Sequence, residues 1–369
     1  MNLASSTEQA IALLHDLIRK PSFSQQEEQT AGILIDFLRK HDLSPNRLHH
    51  NIWLKNRHYS SDKPTLLLNS HHDTVRPAVG WQRNPFRPSL EGDRLYGLGS
   101  NDAGASLVSL LATFMHLQAD PELPFNLLFV ASAEEEISGP NGIAAVLPEL
   151  GPIDAALVGE PTGMQMAIAE KGLMVIDAEA KGVSGHAARD EGTNALYIAL
   201  EDIQHIRQFT FDRVSPFLGA SRATVTQIEA GSQHNVVPDR CRFVIDVRTN
   251  EWYSNREAHV LLQAGVRSTL TPRSYRLNSS RIDPNHPLVA AGLMLGRQTF
   301  GSPTLSDQAL MPFPSLKMGP GDSARSHTAD EYITLTEIRE AISCYAQLLQ
   351  AISQLPRYDA YAKNENKSL

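Results

Sequence analysis

Short, nearly unbroken apolar runs alternate with amphipathic stretches along this chain. The runs at residues 65–69 (TLLLN), 125–131 (FNLLFVA), 155–158 (AALV) and 315–318 (SLKM) lack the polar alternation of a half-exposed strand. They predict strands buried on both faces, as in a sheet covered by helices. Helical periodicity fills the gaps between them. Ala31, Leu34, Ile35 and Leu38 share one face of QTAGILIDFLRKHD, and AGASLVSLLATFMHLQ separates the first two runs. Ser6 with Gln9, and Ser24 with Glu27, have capping-box spacing and predict two opening helices, the first stopped by Pro21.

From about Leu173 the texture changes. LMVIDAEA, RATVTQIEA and RCRFVIDVR read as strands, NALYIALEDIQHIRQF and NREAHVLLQAGVRSTL as helices, and SYRLN as a closing strand. The order β-α-β-β-α-β is the split βαβ arrangement. It predicts an inserted domain at 174–278 within an α/β domain made of 1–173 and 279–369. The tail KNENKSL is polar and expected to fray.

Composition narrows the function classes. The 369 residues are 41% hydrophobic, ample for two cores, and the net charge of -8 speaks against nucleic acid or an anionic membrane as partner. No apolar run reaches the roughly 18–20 residues of a membrane span. The first twenty residues lack the basic start and apolar stretch of a signal peptide. Cys241 and Cys344 form no metal or disulfide pattern, which fits a reducing compartment, so a cytoplasmic location is expected.

Chemistry collects beyond the carboxyl ends of strands in open α/β sheets. There the chain places His71, His72 and Asp73 after the first run, Glu134, Glu135 and Glu136 after the second, Glu160 after the third, and His327 after a glycine turn that follows the fourth. Asp102, in YGLGSNDAGAS, precedes a helix. Singly, each has a plain explanation: a surface turn, a solvated acidic run, a helix cap, a surface histidine. Together they share one edge of one sheet. Clustered carboxylates take up protons unless a cation sits among them, and mixed imidazole and carboxylate donors suit zinc or a similar first-row metal. More donors than one tetrahedral ion needs point to a pair.

The stretches NSHHDTV, YGLGSNDAGAS, ASAEEEISG, LVGEPT and GPGDSARSHTADEY resemble, in order and spacing, those of the dinuclear zinc amidohydrolases. That family includes acetylornithine deacetylase, succinyl-diaminopimelate desuccinylase, aminoacylase and carboxypeptidase G. The resemblance implies a zinc-peptidase-like catalytic domain with a mixed sheet flanked by helices, and a ferredoxin-like inserted domain that serves as lid and dimerisation surface. It implies two divalent ions, Zn2+ first and Co2+ or Mn2+ as alternatives. His71 and Glu160 would hold one ion, Glu136 and His327 the other, and Asp102 would bridge them. Asp73 would orient His71 from behind, Glu135 would act as general base and then acid, and His72 would only pack. KGVSGHAARDEGTNAL implies that His186 stabilises the oxyanion across a homodimer interface. GSQHNVVPDRCRFVIDVR implies that Asn235 and Arg248 hold substrate, the arginine fork suiting a carboxylate.

Ser70, the NDAGAS segment and Glu134 depart from the usual pattern, but none removes a ligand or the base. The expected reaction is hydrolysis of an N-acyl-L-amino acid amide, acetylornithine deacetylase-like. A dipeptidase or carboxypeptidase is the alternative within the same chemistry. A binding paralogue without catalysis is the alternative outside it, disfavoured because Glu135 is retained.

Overall fold

A computed structural model describes residues 3–189 and 191–354; the polar tail lies outside the described residues. The chain divides into two compact units. The first comprises Met1–Ile168, Ile282–Phe300 and Ser306–Leu369, the second Ala169–Arg281 and Gly301–Leu305.

The first unit is built on a mixed sheet. Four strands run parallel at its centre, in the order Asn126–Ser132, Thr65–His71, Ala155–Val158 and Ser315–Lys317. Asn51–Lys55 pairs antiparallel outside the first of these, and Lys317 pairs antiparallel with Ala167 outside the last. Every residue of the four central strands is buried, as the unbroken apolar runs require. Alternate residues serve opposite faces. Leu66, Leu68, Leu127, Phe129 and Leu157 pack under the helices Leu3–Ile18, Ala105–Leu117 and Leu335–Ser353. Leu67, Leu128, Val130, Ala156 and Val158 pack with Ile143, Val146 and Leu150 of the helix Ile143–Leu150. Since the four strands are parallel, their carboxyl ends share one edge.

The second unit carries the antiparallel sheet Arg222–Ala230, Arg240–Arg248, Met174–Lys181, Thr269–Pro272. Numbered along the chain, that order is 2-3-1-4, the ferredoxin-like arrangement. Helices Ala195–Gln208 and Asn255–Ala264 contribute Ala195, Ala199, Ile206, Ala258 and Leu262 to its core.

Three local expectations are corrected. Ser6 lies inside the first helix, which begins at Leu3, rather than at its N-cap. The second helix, Glu28–Lys40, has no side-chain cap, and Ser24 donates instead to Asp73 at 2.7 Å. Paired capping boxes occur at Ser254/Glu257 and Thr334/Glu337. The closing strand of the second unit is Thr269–Pro272, not SYRLN, because the preceding helix ends at Ala264 with Gly265 as its C-cap.

Candidate metal centre

The edge formed by the parallel strands gathers the titratable residues. His71 is the last residue of its strand, and its Nδ1 lies 3.0 Å from the Asp73 carbonyl. That contact fixes the ring and turns Nε2 outward, where it faces Asp102 at 3.3 Å, Glu160 at 3.7 Å and Glu135 at 3.9 Å. His327 Nε2 lies 2.9 Å from Glu136 Oε2 and 3.7 Å from Asp102 Oδ2. The two carboxylate oxygens of Asp102 therefore face different imidazoles, Oδ1 toward His71 and Oδ2 toward His327. Two donor groups overlap at His71: His71, Asp102 and Glu136, and His71, Glu135 and Glu160, each with its donor atoms within 4.8 Å of one another.

Electrostatics shows what such crowding costs without a cation. Burial pushes Glu160 up to about 8, helped by the charges of Asp102 and Glu136. Burial likewise holds Glu135 well above the usual carboxylate range, with Glu160, Asp307 and Glu136 adding to it, and raises Glu136. Burial alone would pull the His71 imidazole down, yet the carboxylates of Asp102, Asp73, Glu135 and Glu160 carry it well above its usual value. The bond to Glu136 carries His327 up to about 9. Asp102 and Asp73 stay below the usual range because the His71 contacts outweigh their burial. Protons here stand where positive charge is wanted. A cluster of two imidazoles and four carboxylates, with one carboxylate facing both histidines, fits a pair of divalent ions.

Supporting residues hold this arrangement from behind. Asp73 does more than face His71. Its Oδ1 accepts the Glu135 N–H at 3.1 Å, and its Oδ2 accepts the Glu136 N–H at 3.2 Å. One buried carboxylate thus orients an imidazole and fixes the turn that carries both glutamates. His72 is buried, its Nδ1 2.9 Å from the Thr30 hydroxyl and its Nε2 2.9 Å from the His50 carbonyl, so it braces the second helix. Glu134 accepts from the backbone and side-chain N–H groups of Asn141, closing the turn after the strand.

Two buried acids that sequence reasoning did not assign also belong to this region. Asp307 accepts a 2.6 Å bond from Ser132 and is pushed up to about 6 by burial. Glu331 accepts the backbone N–H groups of Gly99, Asn101 and Asp102, while burial and the Asp102 charge raise it to about 8. The HTADEY motif contained Glu331, but nothing local marked its partners, more than two hundred residues earlier.

The residues expected to touch substrate lie in the second unit. His186 is exposed on a two-residue strand paired with Val236–Val237, next to Asn235, whose carbonyl accepts from Ala187. Arg248 directs its fork at Asp246 of its own strand, at 2.8 and 3.1 Å. Among the described residues no helix is long and apolar enough to cross a membrane.

The chain matches the profile of Peptidase family M20/M25/M40 over residues 67–351. It is similar to a protein of Aspergillus clavatus named Probable carboxypeptidase, 26% identical over 93% of this chain and 82% of that one. It is similar to the succinyl-diaminopimelate desuccinylase of Dinoroseobacter shibae, 27% identical over 69% of this chain and 71% of that one. Among solved structures it shares its fold with the YXEP protein of Bacillus subtilis, described as a dinuclear metal binding peptidase, at a TM-score of 0.73 and 18% identity over 94% of this chain and 98% of that one.

Proposed function

Because this chain belongs to peptidase family M20/M25/M40, we propose that it hydrolyses the amide of an N-acyl-L-amino acid, with acetylornithine, acetylcitrulline or a succinylated analogue as substrate class. The observation that carries the reading is the convergence of His71, Asp102, Glu136, Glu160 and His327 around Glu135 at one sheet edge. His71 and Glu160 would hold one divalent ion, Glu136 and His327 the other, and Asp102 both. Zn2+ is the first choice, and Co2+ or Mn2+ suit the same donors. Bound there, the ions supply Lewis acidity that lowers the pKa of water and polarises a carbonyl.

This chain's residues do the rest. Glu135 takes the proton of the attacking water and returns it to the leaving amine. Its raised proton affinity, set by burial and neighbouring carboxylates, suits a group that must do both. Asp73 keeps Glu135 and Glu136 in place through their backbones. In the second unit, a lid and dimerisation domain in this reading, Asn235 and Arg248 bind the substrate carboxylate, and His186 serves the oxyanion of the partner subunit. Arg248 would exchange Asp246 for that carboxylate. Two buried free cysteines suit action in the cytoplasm.

A carboxypeptidase or dipeptidase is the second reading, supported by the wider coverage of the carboxypeptidase relative. Both split an amide beside a carboxylate. Metal-reconstituted protein assayed on acetylornithine, acetylcitrulline, succinylated analogues and dipeptides separates them. Turnover confined to dipeptides would refute the deacylase reading. Hydrolysis by Glu135→Gln at the parental rate, with metal retained, would refute the base.

A further inference from the structure

We propose that Glu331 is a positioning residue that sets the affinity of the metal centre by holding the backbone of Asp102. The proposal rests on the reading of Asp102 as the ligand shared by two ions. Glu331 is 2% exposed, and its carboxylate accepts the N–H groups of Gly99 at 3.0 Å, Asn101 at 2.8 Å and Asp102 at 2.9 Å. These amides form a concave anion site, which needs the left-handed Gly99 at φ +74°. A Cβ there would also meet the Thr74 side chain at 2.6 Å.

The connection is specific in its placement. Glu331 lies four residues after His327, and the turn it grips ends at Asp102. It therefore ties the segment bearing one imidazole to the carboxylate that faces both imidazoles. Asn101 ties the same two segments from the other side, accepting from the Asp322 N–H at 3.0 Å and donating to the Asp322 carbonyl at 3.1 Å. With the Asp102 peptide held, only side-chain torsions remain for its carboxylate to lose on binding cations. A Gln at 331 keeps the shape but turns an NH2 toward at least one of three N–H donors. With its oxygen kept toward Asn101 and Asp102, the NH2 opposes the Gly99 N–H at the start of the turn that ends at Asp102, and the remaining bonds lose their charge assistance. Partners that orient metal ligands in this way are worth roughly 10–100-fold in metal affinity.

The test is calorimetric titration of metal-free protein with Zn2+ alone, beside urea unfolding of the same metal-free samples. If the parent protein binds no Zn2+, the metal-centre reading itself fails. Given two ions in the parent, Glu331→Gln is expected to weaken Zn2+ binding by about 10–100-fold, and its Co2+ form to lose the parental visible spectrum. Asp330→Asn is the control, since Asp330 accepts from Gln82 and Arg83 rather than from the Asp102 turn; its Zn2+ affinity should stay parental. Parental affinity in Glu331→Gln overturns the proposal, as does equal weakening in Asp330→Asn. If Glu331→Gln does not fold, Glu331→Asp decides. It keeps the charge but withdraws it by one methylene, so weakened binding supports the proposal and parental binding overturns it.

Discussion

Replacing Asp73 with Asn separates two roles that one carboxylate performs. In the native site Oδ1 faces the Glu135 N–H at 3.1 Å and His71 Nδ1 at 3.4 Å, and Oδ2 faces the Glu136 N–H at 3.2 Å and the Ser24 hydroxyl at 2.7 Å. An amide keeps one acceptor and presents a donor in place of the other. The Ser24 hydroxyl can rotate to accept from it; a peptide N–H cannot. Whichever way the amide turns, either Glu135 or Glu136 is left with an N–H facing another donor. An orphaned buried donor costs about 1–3 kcal/mol, and the surviving bonds lose about 1 kcal/mol of charge assistance. The expected loss is therefore about 3 kcal/mol in urea unfolding of chelator-treated protein at neutral pH. Ser24→Ala, which removes only one neutral donor, should cost about 1 kcal/mol. If Asp73→Asn unfolds within 0.5 kcal/mol (roughly the noise of such comparisons) of the parent protein, the carboxylate does not hold that turn.

Four further outcomes follow from the same structure. Glu135→Gln should lower kcat by roughly 10²–10⁴-fold while metal content, read by elemental analysis, stays parental. Leu67→Ala, at a fully buried position of the central strand, should cost about 2–5 kcal/mol in denaturant unfolding, and a loss under 1 kcal/mol would contradict the packing described. His286 caps the helix Pro287–Met294 through an Nδ1 that accepts the Leu288 N–H, and burial lowers its pKa from 6.5 to about 4. The unfolded chain then binds more protons than the folded one between those values, so stability is full above 6.5 and falls toward 4. Between pH 7.5 and 5 the parent should lose about 2 kcal/mol more than His286→Asn, which keeps a capping oxygen; identical pH curves would remove the assignment. Adding Zn2+ to chelator-treated protein should raise its melting temperature in a concentration-dependent way, since the donors converge only in the folded chain.

Much of the centre was legible because the strand tips are. Apolar runs buried on both faces announce a parallel sheet, and whatever polar residues end them must share its edge; His71, Glu135, Glu136 and Glu160 were found that way. Asp102, in the helical turn Ser100–Gly104, and His327, in a turn after the fourth run, were placed at the same edge, and the division of ligands between two ions was read from the resemblance to a family. Glu331 and Ser24 escaped because their partners are distant: Glu331 bonds to Gly99, and Ser24 to Asp73, across long sequence separations. Ser24 even carried a misleading local signal, since capping-box spacing cannot show that a hydroxyl has a stronger, charged partner elsewhere. The strands Asn51–Lys55 and Met166–Glu170 were not read from the sequence. SYRLN was mistaken for a strand because the apolar spacing of NREAHVLLQAGVRSTL continues past Gly265, hiding the short strand Thr269–Pro272.

Crystals of zinc-loaded protein, with anomalous diffraction collected at the zinc edge, put the account to its most direct test. Two peaks about 3.5–4 Å apart should flank the Asp102 carboxylate, one beside His71 and Glu160 and the other beside Glu136 and His327. A single peak, or peaks away from Asp102, would contradict the shared-carboxylate centre from which the rest is argued.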